Sequence, residues 1–347
     1  MGSNGKDPMD QLSAHLDRGW DLVSRGDFAA ALLSARKGLE VDAESPEAHN
    51  LLGYIQAAEG RPEDAIDHYR KAIDLDDTFV EAMLNAAEVL VHPLGDHAGA
   101  LRLVDDALEL MDDDEEMADA LLLKVDILMH TGDREQASHV LSLVPEGPFE
   151  NPGLRFLVGR ARFEVGDVDG AEPLVRDAVE QNPPNAEAYY YLGLILEIRK
   201  DLRAATVAFL QCRELDLRAP PPPWSMLPDQ FEKRVRTAIG LLPVAMRQAL
   251  EGALVVVGDL PGAEVVADGV DPRLTVLLDD LEDRPARVGR VFIYQRNVER
   301  AAASSVEIDD EVLAGLGREL EAAFSGISGS GDPPAPEGDD EAQGAAN

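Results

Sequence analysis

Small and apolar residues recur along the first part of the chain in the pattern of paired amphipathic helices, and residues 46–77 form the clearest copy. In this copy the small residues Gly53 and Ala65 allow two helix backbones to approach closely, and Tyr69 fills the space beside them. Gly60 is suited to end the first helix, because glycine readily adopts the left-handed conformation common at helix ends. The pattern therefore predicts a helical hairpin.

The hairpin pattern recurs about every 34 residues, with one small residue in the second helix each time. In the six copies this residue is Ala31, Ala65, Ala100, Ala137, Ala171 and Ala205. A short turn, most often Gly-Asp, precedes most of them. In period and residue type, residues 12–217 resemble the tetratricopeptide repeat family. The resemblance implies a mainly α solenoid in which the first helix of each repeat lines a concave groove.

The pattern changes after four consecutive prolines, residues 220–223, which cannot continue a helix. Beyond them, apolar runs predict strands at residues 253–257, 274–278 and 290–294. Helices are predicted at residues 229–239, 244–251 and 309–324. We therefore predict five segments: a disordered N-terminus (1–11), the repeat array (12–217), a Pro-rich linker (218–228), a small α+β domain (229–324) and an acidic disordered tail (325–347).

Residues 229–326 also resemble the minimal zincin-like metallopeptidase family in the order of their elements. The resemblance rests on residues 241–257, 271–274, 291–299 and the final helix. Members of that family carry the motif H-E-x-x-H, in which two histidines bind zinc and the glutamate activates a water molecule. Here Arg318 and Ala322 stand at the two ligand positions, and only Glu319 matches the motif.

Histidine and cysteine are missing from this domain, since the last histidine is His139 and the single cysteine is Cys212. We therefore predict no catalytic residues, no metal site and no cofactor, and we interpret the domain as a pseudoenzyme that keeps the fold without the zinc site. The alternative is a hydrolase that holds a harder ion with carboxylates around Glu319. Its candidate carboxylates are Asp279, Asp280, Glu282 and Asp283.

Charge narrows the classes of partner. Lys and Arg total 31 against 67 Asp and Glu, a formal net charge of -36, which repels nucleic acid and anionic membrane surfaces and favours basic partners. No apolar run approaches the roughly 20 residues of a membrane-spanning helix, and the N-terminal residues lack the apolar core of a signal peptide. We therefore predict a cytoplasmic protein that binds neither nucleic acid nor membranes.

The repeat resemblance and the helical period together place a set of side chains on the groove face, including Leu122 and Asp126. The predicted partner-binding residues are Asn50, Tyr54, Phe156, Arg160, Phe163, Tyr190 and Leu194. The aromatic members would anchor a protein or peptide of basic and apolar character, and the alternative is that they pack between repeats. The predicted function is a non-enzymatic scaffold or adaptor.

Overall fold

A computed structural model of the chain describes residues 7–283, 286–302 and 304–324. The chain divides into two compact units, Met1–Pro183 and Pro184–Asn347. The predicted disordered tail, residues 325–347, lies outside the described residues, as do residues 1–6.

Successive helical hairpins make up the described part of the first unit, with the period that the sequence predicts. The hairpins are α1 (Pro8–Ser24) with α2 (Phe28–Val41), α3 (Pro46–Ala58) with α4 (Pro62–Leu75), α5 (Val80–Val91) with α6 (His97–Leu108), α7 (Asp114–His130) with α8 (Arg134–Leu141), and α9 (Pro152–Glu164) with α10 (Val168–Gln181). The mainly α repeat architecture is therefore confirmed in this unit.

The turn inside each hairpin explains the recurrent Gly-Asp pairs. One residue of the turn has a positive φ, which glycine adopts without the strain that a Cβ would cause. These residues are Gly26, Gly60, Gly95, Gly132 and Gly166, with φ between 69° and 95°. In four of these hairpins the next residue is an aspartate whose carboxylate accepts a hydrogen bond from the N–H three residues later, which caps the second helix. These caps are Asp27, Asp96, Asp133 and Asp167.

The recurrent alanines lie where the two helices of a hairpin meet. Ala31, Ala65, Ala100, Ala137 and Ala171 are each 0% exposed. In the second hairpin Gly53 faces Tyr69, and a Cβ placed on Gly53 would lie 2.7 Å from the Tyr69 ring. Small residues are therefore required here by the close approach of the paired helices.

The first helix begins earlier than the sequence predicts. α1 starts at Pro8, a residue type favoured in the first turn of a helix because its fixed φ suits that position. The Asp7 side chain caps the helix by accepting a hydrogen bond from the N–H of Met9 at 3.2 Å. Residues 8–11, which the sequence assigns to a disordered N-terminus, are therefore helical.

The second unit contains a sixth hairpin followed by a small α+β domain. Its elements are α11 (Ala186–Ile198), α12 (Leu202–Arg218), α13 (Pro228–Leu241), α14 (Val244–Ala249), β1 (Leu254–Gly258), α15 (Ala263–Ala267), β2 (Val276–Asp283), β3 (Ala286–Tyr294), α16 (Gln295–Ala301) and α17 (Ile308–Ala323). The strand order is β1-β3-β2, with β1 parallel and β2 antiparallel to β3. Across the described residues, no helix has both the length and the apolar character that a membrane span requires.

The sheet and α17 enclose one apolar core. α17 packs against α13 and β2, and its Leu316 and Leu320 are 0% exposed. Phe231 of α13 and Ile293 of β3 complete the same core. The apolar face predicted for the final helix is therefore the face that holds this domain together.

Polar bonds connect the sixth hairpin to the α+β domain within the second unit. Arg296 of α16 donates a hydrogen bond to the carbonyl oxygen of Asp216 near the end of α12, at 3.1 Å. The Pro-rich segment is also held, because the Ser225 hydroxyl donates to the buried carboxylate of Glu299 at 2.8 Å. The division between units lies before the sixth hairpin, so residues 218–228, predicted as the linker between array and domain, connect two parts of one unit.

Candidate partner-binding groove

A groove of about 410 Å³ crosses the first helices of the third, fourth and fifth hairpins, and its size falls in the range of ligand pockets in proteins. α5 supplies Glu88, α7 supplies Asp119, Leu122, Leu123, Val125, Asp126 and Met129, and α9 supplies Leu157, Arg160, Ala161 and Glu164. All of these residues belong to first helices, which line the groove face of stacked helical hairpins.

Acidic side chains dominate the polar lining of the groove. Its carboxylates are Glu88, Asp119, Asp126 and Glu164. Within this lining Arg160 is the one cation, and its Nε lies 3.7 Å from the Glu164 carboxylate. Leu122, Met129 and Leu157 provide apolar surface between the charges. The groove therefore combines net negative charge with apolar contact area.

Burial in the groove changes the pKa of two of these carboxyl groups. Partial burial raises the pKa of Glu88, and the nearby His92 opposes that shift. Partial burial also raises the pKa of Asp119, and the charge of Glu115 adds to the effect. A raised carboxyl pKa means that the surroundings stabilise the ionised form poorly. A cationic group placed in the groove would therefore stabilise both carboxylates.

Comparison with known proteins agrees with the hairpin geometry. The family model named Tetratricopeptide repeat matches residues 16–78 and 157–211. These two segments therefore match the tetratricopeptide repeat. Among solved structures, PilF of Pseudomonas aeruginosa is 18% identical with a TM-score of 0.52, and the match covers 61% of this chain and 95% of that chain. PilW, a type IV pilus biogenesis factor, is 16% identical with a TM-score of 0.52, and the match covers 60% and 94%. A search of curated protein sequences gives no match.

Some of the side chains that the tetratricopeptide pattern places on the groove face lie in this groove. Leu122, Asp126 and Arg160 line it. Phe156 is 4% exposed, so it packs among the repeats, which is the alternative that the sequence leaves open for the aromatic residues. Phe163, on the same helix, is half-buried.

Two predicted residues, Asn50 and Tyr54, belong to the second repeat. Asn50 is 1% exposed. Its amide nitrogen donates to the Glu81 carboxylate at 3.0 Å, and its amide oxygen accepts from the Asn85 side chain at 3.0 Å. Asn50 thus cross-links α3 to α5. Tyr54 is 39% exposed and packs its ring against Trp20, with the ring centroids 5.2 Å apart, so part of Tyr54 remains accessible to a partner.

The last two predicted residues, Tyr190 and Leu194, lie on α11 in the second unit. The Tyr190 hydroxyl donates to the Asp271 carboxylate at 2.9 Å, and the Arg273 guanidinium stands 4.6 Å from the Tyr190 ring centroid. Leu194 is half-buried. Tyr190 therefore uses both its hydroxyl and its ring within the second unit.

The sequence-based prediction missed three groove carboxylates: Glu88, Asp119 and Glu164. A signal existed for each of them. Glu88 stands one repeat length before Leu122, and Glu164 follows Arg160 by one helical turn on the same face. Asp119 stands three residues before Leu122 and seven before Asp126, so the helical period places it on their face of α7.

The structure does not gather metal ligands around Glu319. Partial burial raises the pKa of the Glu319 carboxyl, and the neighbouring Arg318 opposes the shift. Asp279, one of the proposed ligands, forms an ion pair with Arg290 at 2.6 Å. Among the side chains that the structure describes, no group of three potential metal ligands includes Glu319. The carboxylate-held metal site of the alternative prediction thus has no cluster to support it in this part of the chain.

Proposed function

We propose that the chain is a non-enzymatic scaffold whose third to fifth repeats bind a protein or peptide partner with basic and apolar side chains. The observation that carries the proposal is the groove, which places carboxylates and apolar side chains on successive first helices. A partner segment lying across it would set Lys or Arg beside Glu88 and Asp119, and apolar side chains against Leu122 and Leu157.

Residues predicted from the sequence enter this proposal in two roles. Arg160 and Phe163 of α9 keep accessible surface, and we assign them to partner contact. Tyr54 of the second repeat is also accessible and would extend this contact beyond the groove. Asn50 and Phe156 are buried, and we assign them to holding the first helices in position. This division supports a partner that lies along several repeats.

Exchange of one groove charge tests the proposal. The partner is first captured from cells that make the protein and is then titrated against purified variants. We expect Asp119→Lys to weaken binding by about tenfold or more, because it places a like charge opposite a basic ligand. Glu135→Lys is the matched control, since it makes the same charge change at an exposed residue of α8, a second helix. Equal weakening by both variants would mean that net charge alone attracts the partner, and normal binding by both would place the partner on another surface.

We further propose that the α+β domain is a pseudo-metallopeptidase that covers the sixth repeat. Support comes from Arg318 and Ala322 at the ligand positions of the motif and from the hydrogen bond between α16 and α12. The terminal repeat of a solenoid exposes an apolar face that needs a cover. Casein cleavage assayed separately with added zinc, magnesium and calcium tests this. Cleavage that is lost in Glu319→Gln would establish the hydrolase alternative, whereas no cleavage by the wild-type protein supports the pseudoenzyme.

A further inference from the structure

His92, Asp126 and His130 lie together where the turn between α5 and α6 meets α7. One potential ligand atom from each side chain lies within 4.8 Å of the other two. His92 and Asp126 are 34 residues apart, one repeat length, so the stacking of the third and fourth repeats brings them together. Asp126 and His130 are one helical turn apart and share a face of α7.

The spacing within this cluster is that of metal ligands rather than of a strong hydrogen bond. Nε2 of His92 lies 3.5 Å from Oδ2 of Asp126, whereas an N–H···O hydrogen bond is usually about 2.9 Å long. Two ligands of a tetrahedral zinc ion, bound at about 2.0–2.1 Å, stand about 3.3 Å from each other. The two side chains can therefore hold an ion between them after a small adjustment.

One nitrogen of the His130 ring forms a hydrogen bond, and the other has a lone pair that can bind a metal ion. Its Nδ1 lies 3.6 Å from Oδ1 of Asp126 and 2.9 Å from the backbone carbonyl oxygen of the same residue. A carbonyl only accepts hydrogen bonds, so without an ion Nδ1 donates to it and Nε2 carries the lone pair. Metal-binding histidines are commonly held in this way by a backbone carbonyl. The ring of His97 stacks on the His130 ring with centroids 6.3 Å apart, which further restricts its orientation.

We propose that His92, Asp126 and His130 bind one divalent transition-metal ion of the zinc class, with water completing its coordination. Two imidazoles and one carboxylate suit zinc and its neighbours in the first transition series, whereas magnesium and calcium prefer oxygen ligands alone. The three side chains are 57%, 50% and 44% exposed, so an ion and its waters can enter without rearrangement of the core. The ion would link the third repeat, through His92, to the fourth repeat, through Asp126 and His130. The site would lie beside the groove, because Asp126 also lines the groove.

Metal titration of the untagged full-length chain tests this site. The protein is stripped with a chelator and titrated with Zn²⁺ at about pH 7.5, because histidine binds metals through its deprotonated nitrogen and acid weakens binding. We expect one ion per chain, no competition from Mg²⁺, and a higher unfolding temperature with zinc, since a ligand that binds only the folded state stabilises it. Substitution of Co²⁺ adds a visible absorption band that reports on the coordination geometry.

Matched variants assign the ion to this cluster. His92→Asn and His130→Gln should each weaken zinc binding by at least about tenfold and abolish the zinc-dependent rise in unfolding temperature. Both residues are exposed, so circular dichroism of these variants should equal that of the wild type. His139→Gln, at an exposed histidine of α8, should bind zinc as the wild type does. Failure of the wild type to bind zinc at micromolar concentration, or wild-type binding by the His92 and His130 variants, would overturn the proposal.

Discussion

The two units differ in how their partly or fully buried carboxylates are paired. In the second unit Asp216 is 5% exposed and binds two guanidiniums, that of Arg273 at 3.3 Å and that of Arg300 at 2.8 Å. In the first unit Glu88 and Asp119 face the groove, and no ion pair to either is found among the described residues. The fold itself accounts for the charge of Asp216. It does not account for the groove carboxylates, whose pKa values are raised chiefly by partial burial.

The single cysteine, Cys212, contacts the buried Asp216 of the second unit. The Cys212 thiol donates to the Asp216 carboxylate at 3.4 Å, and burial raises its pKa to about 12. A thiol with so high a pKa stays protonated and is a poor nucleophile. Cys212 therefore supports the buried ion pairs and is not a candidate for catalysis.

Removal of Asp216 should produce the largest effect. Asp216→Ala leaves the Arg273 and Arg300 charges without their shared partner, and we expect the second unit to lose about 3 kcal/mol of unfolding free energy. Urea unfolding monitored by circular dichroism measures this. Glu214→Ala is the control, because its pair with Arg218 lies on the surface and should contribute less than about 1 kcal/mol. Equal losses of unfolding free energy in the two variants would show that the buried ion pairs of Asp216 contribute no more stability than a surface ion pair.

The repeats could be predicted because local chemistry determines them. A glycine with positive φ, an aspartate cap and a small residue at the helix contact recur together in four of the six copies, as in Gly132, Asp133 and Ala137. The helices α15 and α16 were missed since they contain 5 and 7 residues, too few to show a helical period. Attachment of the sixth repeat to the α+β domain depends on contacts such as Arg296 with Asp216, which lie 80 residues apart.

A histidine pair in the first unit should produce the next largest effect. The Nδ1 atoms of His49 and His68 lie 3.0 Å apart, so one ring donates a proton and the other accepts it. Burial lowers both pKa values; proximity to His49 also lowers that of His68. Because the unfolded chain then binds protons more readily, stability should be complete above the unfolded pKa of about 6.5 and should fall as the pH drops below it.

Urea unfolding at about pH 7.5 and about pH 5.5 measures this dependence. We expect His68→Gln to reduce the loss of stability between the two values, because one buried titratable group is gone. His139→Gln, at an exposed position, should leave the wild-type dependence intact. A wild-type unfolding free energy that is the same at both pH values would contradict the assignment.

Less of the groove than of the fold could be predicted. Leu122, Asp126 and Arg160 follow from the position of first helices in the repeat. The burial of Phe156 could not be predicted, because an aromatic residue on a first helix can serve either the core or a partner. The proximity of His92 to Asp126 does have a sequence signal, since one repeat length separates them, but it also requires the turn after α5 to carry a histidine towards α7.

The smallest effect that we expect is a gain of stability on removing a groove charge. The folded-state pKa of Glu88 is raised, so its contribution to stability is fully present below the unfolded pKa of about 4.3 and is lost as the pH rises through the folded value. At neutral pH the ionised carboxylate therefore destabilises the first unit, and Glu88→Gln should stabilise it by up to about 0.5 kcal/mol, the range of surface substitutions. The gain should vanish in acid, and Glu135→Gln should show none at either pH. If Glu88→Gln instead destabilises the protein at neutral pH, the carboxylate already has a stabilising partner, and the contrast between the groove and the buried pairs of Asp216 fails.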